Sequence, residues 1–151
     1  MNIGRLHLKN NVFLAPMAGI TDLPFRTIAR SFGCGLAFTE MVSGSGLVRR
    51  TEKTFRYLAS SPADRPLGVQ LFGNDPETLA VAAGVAAERG ADLLDVNMGC
   101  PVKKVAKTGS GASLMRDPER AAAILRAVRK ASTLPLTVKI RAGWNLSLIH
   151  I

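Results

Sequence analysis

LGVQLFGNDPETLAVAAGVAAERGADLLDVN, Leu67–Asn97, is the stretch on which the fold turns. An apolar run, Leu67–Phe72, leads to Asp75-Pro76-Glu77-Thr78, then to alanine-rich turns that end at Gly90, then to a second apolar run, Leu93–Val96. Aspartate before proline is a helix N-cap with proline at the first helical position, and the glycine is a helix stop. Both runs are nearly continuous in hydrophobicity, as parallel strands buried on two faces are. The segment therefore reads strand, helix, strand.

Outward from it the theme recurs. Further runs lie at Val12–Ala15, Leu36–Thr39 and Leu136–Ile140, and a helix is expected from Pro24 to Phe32, stopped by Gly33. Asp117-Pro118-Glu119-Arg120 opens another, running to about Ala131. Ser43–Arg50 begins with SGSG, which reads as a loop before a short helix. Ile3–Leu8 followed by Asn10-Asn11 reads as a small hairpin capping one end of the domain. Alternating strands and helices imply an α/β fold with a parallel sheet. The runs lead into Pro16-Met17, Glu40, Gln70, Asn97 and Lys139, and polar residues at the carboxyl ends of successive strands are how a TIM (β/α)8 barrel builds its site. A doubly wound sheet would place GxGxxG after its first strand, where this chain has AGIT. The expectation is about five βα units, the N-terminal part of a barrel that typically needs ~250 residues. Residues 1–145 carry this pattern. The final LSLIHI, Leu146–Ile151, has no helix start or turn signal and resembles a translated sequencing adaptor, which would mean a reading frame cut in mid-gene; the alternative is a sixth strand.

At 151 residues with 47% hydrophobic content, the chain can bury a sizeable core. No apolar run approaches the ~18–20 residues of a membrane span, and MNIGRLHLKNN lacks the core of a secretory signal. Two cysteines, Cys34 and Cys100, stand far apart in no metal-ligand spacing, so no metal and a reducing, cytoplasmic setting are expected. Twenty Lys and Arg against eleven Asp and Glu leave a net charge of +9, which favours a polyanionic partner, nucleic acid first.

Several residues are placed for chemistry. Cys100 follows Asn97-Met98-Gly99 at a strand end and precedes Pro101. There it is either an acid or nucleophile tuned by Lys103 and Lys104, or a small thiol that fills space. Lys139, closing an apolar strand, needs an anion, a cofactor or a carboxylate. Gln70 and Asn97 carry both donors and acceptors, which suits either a heterocyclic ring edge or loop backbone groups. GSGAS, Gly109–Ser113, lacks the Lys-Ser/Thr ending of a P-loop and reads as tight packing of a short helix. Cys34, after Gly33, reads as structural.

APMAGITDLPFR from Ala15, TEMVS from Thr39, VQLFG from Val69, DVNMGCPVKKV from Asp95 and TVKIRAGW from Thr137 together resemble the tRNA-dihydrouridine synthases, closest to their bacterial B type. The resemblance runs in order across residues 1 to about 145, and the Asn-Met-Gly-Cys-Pro element with its lysines is the most specific part. It implies an FMN-dependent oxidoreductase that reduces a uridine of tRNA to 5,6-dihydrouridine, with NADPH or NADH recharging the flavin. By the same resemblance Cys100 is the general acid for C5 of uracil, and Asn97 fixes the uracil or flavin edge. Pro16, Met17, Ala18, Gln70 and Lys139 hold the flavin. Arg141 reaches the substrate, and Lys103 and Lys104 meet tRNA phosphates. A family member continues into a second barrel half and a helical tRNA-binding domain, so the 151-residue chain alone is expected to be inactive. The competing readings are another FMN barrel, such as a dihydroorotate dehydrogenase-like or ene-reductase-like protein, and a non-catalytic RNA-binding module.

Overall fold

A computed structural model describes residues 1–143. The chain opens with a hairpin, β1 (Asn2–Ile3) and β2 (Leu6–His7), paired antiparallel. There follow β3 (Phe13–Leu14), α1 (Leu23–Ser31), β4 (Leu36–Phe38), β5 (Val42–Ser43), α2 (Gly44–Val48) and α3 (Glu52–Arg56). Next come β6 (Leu67–Phe72), α4 (Pro76–Glu88), β7 (Leu93–Asn97), α5 (Lys103–Ala106), α6 (Pro118–Ala131) and β8 (Leu136–Lys139). The proposed tail at Leu146–Ile151 lies outside the described residues.

One parallel sheet runs β3-β4-β6-β7-β8 in sequence order, with β5 added on β6. In a flat sheet the first and last of those five strands would stand about 19 Å apart, four steps of ~4.8 Å. Here Phe13 and Ala15, from β3 and its end, line one cavity together with Thr137, Val138 and Lys139 of β8. The sheet is curled, and the fold is the first half of a (β/α)8 barrel.

The helix starts are where the sequence places them. Asp75 Oδ2 accepts the Thr78 N–H at 2.8 Å, Asp117 Oδ1 accepts the Arg120 N–H at 2.9 Å, and Asp22 Oδ1 does the same for Phe25 at 3.0 Å. Each cap satisfies one of the N–H groups a helix leaves orphaned at its start. Gly90 ends the α4 segment at φ +87, which a side chain would resist. The small residues Ala82, Ala83 and Ala86 let α4 pack close on the sheet and on α6, where they join Leu71, Leu79, Leu94, Val96, Ile124 and Val128 in the main core. A wholly buried leucine such as Leu71 or Leu79 stabilises by about 1.5–3 kcal/mol relative to exposure.

The hairpin caps the barrel at the amino ends of the strands, as expected. Leu8 is buried with Leu36, Phe38 and Leu93, and Arg5 Nη2 donates to Thr133 Oγ1 at 3.3 Å. One expectation needs correction. SGSG is not a loop: Ser43 is in β5 and caps α2, its Oγ accepting the Gly46 N–H at 3.2 Å. Its glycines serve packing, since a Cβ on Gly44 would fall 2.7 Å from Leu79 Cδ2. The segment after Cys100 forms α5 followed by a 3-10 turn, Gly111–Arg116.

Candidate active site

The register of the strands builds the site. Gln70 of β6 stands opposite Asp95 of β7, which stands opposite Thr137 of β8, and two residues further on Asn97 faces Lys139. Residues two apart on a strand share a face, so Asp95 and Asn97 both point inward. Asp95 is 3% exposed. Its Oδ2 accepts from Gln70 Nε2 at 2.6 Å and its Oδ1 from Thr137 Oγ1 at 2.7 Å. Gln70 Oε1 accepts from Asn97 Nδ2 at 2.8 Å, and Asn97 Oδ1 accepts the N–H groups of Gly99 at 3.2 Å and Cys100 at 3.0 Å. The Asn97 amide also lies 4.0 Å from Met41 Sδ. Polar contacts thus run unbroken from mid-strand to the cysteine loop.

Burial pushes the Asp95 carboxyl above the usual carboxylate range, against the opposing pull of hydrogen bonds from Gln70 and Thr137 and of the Lys139 charge. Cys100 is half-buried, and its thiol is free. A second anchor holds its loop: the Ala112 N–H donates to the Cys100 carbonyl at 3.0 Å. Gly111, at φ +61, allows that approach, for a Cβ there would sit 2.7 Å from the same oxygen. The expectation of tight packing in GSGAS therefore holds. Cys34 is buried, its Sγ 3.1 Å from the Leu36 carbonyl.

The remaining candidates divide between two cavities. Pro16 and Lys139 line the barrel interior, about 280 Å³, together with Asp95 and Thr137. Ala18 and Lys104 line a larger one, about 610 Å³, with Glu40, Met41, Lys53 and Tyr57. Met17 lies between, its N–H donating to Thr21 Oγ1 at 3.0 Å and its carbonyl accepting from Ile20 and Thr21. Glu40 ties this turn to the end of β4 by accepting the Gly19 N–H. Lys103 is exposed on α5, and the buried Arg141 Nε has no hydrogen-bond partner among the described residues. Asp95 and Thr137 receive no role from the sequence reading. The available signal is a charged residue inside the apolar run LLDVN, two positions before Asn97 and so on its face.

Comparison with known proteins decides the family. A sequence model described as "Dihydrouridine synthase" matches residues 13–150. This chain belongs to the dihydrouridine synthase family. It is 47% identical to the tRNA-dihydrouridine synthase B of Pasteurella multocida over 96% of this chain and 44% of that protein. It is 46% identical to a probable tRNA-dihydrouridine synthase of Rhizobium leguminosarum, over 96% of this chain and 45% of that protein. For the B-type enzyme of Vibrio cholerae the identity is 42%, over 96% of this chain and 45% of that protein. The chain spans about half the length of the curated relatives it matches, in keeping with a half-barrel sheet. Among the described residues no helix is long and apolar enough to cross a membrane, and no group of His, Cys, Asp and Glu is disposed to hold a metal ion.

Proposed function

We propose that the protein reduces a uridine of tRNA to 5,6-dihydrouridine, with FMN as its resident cofactor and NADPH or NADH as reductant, in the cytoplasm. The observation that carries this reading is the fixing of Cys100: a free thiol at the carboxyl end of β7, on a loop whose N–H is held by Asn97 at 3.0 Å. Family membership supplies the substrate class.

The residues present fit a flavin. Among the described residues no carboxylate lies within ion-pair distance of Lys139. Gln70 gives one amide hydrogen to Asp95 and retains another. These are donors in need of acceptors, which the carbonyl and ring-nitrogen edge of an isoalloxazine offers. Pro16, Met17 and Ala18 would supply the contact surface from the turn after β3, and Lys139 would favour the anionic reduced ring. When bound, FMN supplies the hydride that adds at C6 of uracil.

The chain's own part is the proton. Cys100 delivers it to C5, and the thiol must be protonated for this. Asn97 holds the loop that presents the thiol and offers an amide to the base edge. The target base must leave its stack to reach the strand ends, as with other enzymes acting on a base. Lys103 and Lys104 on α5, both exposed, suit phosphate contacts, and Lys53 and Lys104 border the larger cavity beside this loop. Arg141 is the further substrate contact.

The test is dihydrouridine mapping in tRNA by the full protein and by its Cys100→Ala variant. The variant is expected to lose roughly 10²–10⁴-fold in rate, the contribution of a positioned general acid. Undiminished uridine reduction by Cys100→Ala would remove the assigned role.

A further inference from the structure

We propose that Asp95 is a positioning residue, which fixes through Gln70 and Asn97 the direction in which the Asn97 amide faces and thereby holds the Cys100 loop. The inference rests on the proposed function only for what the loop is for. The relay itself is a matter of donors and acceptors.

A carboxamide has nearly the same shape at both ends, so packing does not decide which end carries the carbonyl. The decision has to come from a neighbour of a single type. Two such neighbours bracket this network. At one end the N–H groups of Gly99 and Cys100 can only donate, and at the other the Asp95 carboxylate, in the ionised form that the Gln70 and Thr137 hydrogen bonds and the Lys139 charge favour, can only accept. Between them stand two amides in series. Asp95 Oδ2 accepts from Gln70 Nε2 at 2.6 Å, which turns Gln70 Oε1 toward Asn97. Asn97 must then present Nδ2, at 2.8 Å, which leaves Oδ1 for Gly99 and Cys100 at 3.2 and 3.0 Å. Reversing either amide sets donor against donor or acceptor against acceptor at its neighbour. Thr137 does not set this polarity, because a hydroxyl can donate or accept; its bond to Asp95 Oδ1 at 2.7 Å orients the carboxylate instead. Gln70, Asp95 and Asn97 are all buried, so water does not substitute for a lost partner cheaply.

Asp95→Asn removes one of the two sources of polarity while keeping the shape: the new amide can face Gln70 with either end, and the Gly99 and Cys100 N–H groups alone are left to set the direction. Adding Gln70→Glu restores the polarity from the other side. The carboxylate introduced on β6 would accept from the new amide and from Asn97 alike, and the site would again hold one carboxylate.

The experiment is NMR of the full protein without flavin or tRNA. It follows the side-chain amide signals of Gln70 and Asn97 and the hydrogen exchange of the Gly99 and Cys100 amides, with Val69 of β6 as the fold control. The wild type is expected to give one signal set per amide group. Asp95→Asn is expected to split or broaden them and to speed exchange at Gly99 and Cys100 about tenfold relative to Val69, the order that one net hydrogen bond supports. The Asp95→Asn/Gln70→Glu pair is expected to return exchange to within about threefold of wild type. A part in packing alone predicts no such rescue. An unchanged loop in Asp95→Asn overturns the proposal, as does a folded pair that exchanges as fast as the single variant. If the pair loses protection at Val69, the single variant decides: one sharp signal set for each amide there sinks the relay. Because no reaction is read, a failure here leaves the Cys100→Ala test standing, and the converse also holds.

Discussion

Two aspartates are buried in this molecule, and their surroundings differ. Asp64 is 0% exposed and sits in a short 3-10 turn, Pro62–Asp64, just before β6. Arg26, 1% exposed, donates to its Oδ2 from Nε at 2.9 Å and from Nη2 at 2.8 Å, and Arg30 Nε lies 3.8 Å from its Oδ1. Two further hydrogens of Arg26 end on the carbonyls of Thr21 at 2.7 Å and Ala59 at 2.6 Å. That cluster is closed by charge: it fastens the start of α1 to the segment before β6 through ion pairs and carbonyls, while Asp64 Oδ1 and Arg30 Nε face each other without a hydrogen bond. Asp95 has no arginine. Its partners are an amide and a hydroxyl, with one lysine acting from the cavity rim, and the chain of contacts it begins ends at a half-buried thiol. Burial of a charge alone therefore does not mark a site. A charge answered by opposite charges holds the fold, and one answered by neutral, directional groups passes orientation on.

The comparison breaks first at Arg26. If the closed cluster is structural, Arg26→Ala should lower unfolding stability by about 3–5 kcal/mol, since it leaves the buried Asp64 carboxylate with only the longer contacts to Arg30 at 3.8 Å and Ser60 at 3.4 Å. Urea denaturation reads this directly, and a loss below about 1 kcal/mol would put the pair with surface bridges of little consequence. Replacing both partners with apolar residues should recover only part of the loss, because the Thr21 and Ala59 carbonyls would still lack donors.

The open cluster should respond through geometry before stability. Gly111→Ala forces a Cβ to within 2.7 Å of the Cys100 carbonyl and 3.0 Å of Val105 Cγ1, at a positive φ. The expected cost is about 1–3 kcal/mol, together with loss of the Ala112–Cys100 hydrogen bond, seen as faster exchange of the Ala112 amide. Gly84 on α4 has nothing within 4 Å of a built Cβ and marks the contrast. A Gly111→Ala protein as stable and as protected as wild type would show the loop to be held by Asn97 alone.

How much of this is legible in the sequence follows from what periodicity encodes. Apolar runs, Asp-Pro caps and glycine stops are local, and β6 spans Leu67–Phe72 as read, while β4, β7 and β8 agree within a residue at their ends. Cys100, Asn97 and Gln70 are legible as polar residues at strand ends, and the structure joins them in one network. Asp95 is not, because its meaning lies in its partners across the sheet. Those depend on register, and hydrophobicity alone does not give the register of fully buried strands. For the same reason APMAGITDLPFR draws attention to Pro16–Ala18, while its Arg26 reveals a purpose only when Asp64 arrives from 38 residues away. The two-residue β5 and the glycine-rich start of α2 are likewise set by tertiary contact, with β6 and with Leu79.

The finest test of the contrast is titration. In the folded protein the Asp95 carboxyl is raised above its ordinary value, with burial as the largest cause. In the unfolded chain it should titrate near ~4. Between those two values the folded state holds the proton and the unfolded state does not. The stability this group contributes is therefore fully present below the unfolded value and is lost as pH rises through the folded one. Asp95→Asn removes that titration while leaving Asp64 in place. Urea midpoints of wild type and Asp95→Asn, followed upward from acid pH, should therefore diverge. The stability of wild type relative to the variant should fall as pH rises through the folded value and level off above it. A difference that stays flat would mean that Asp95 ionises as freely inside the barrel as outside. A difference that grows in the wild type's favour would mean that Lys139 and the hydrogen bonds outweigh burial.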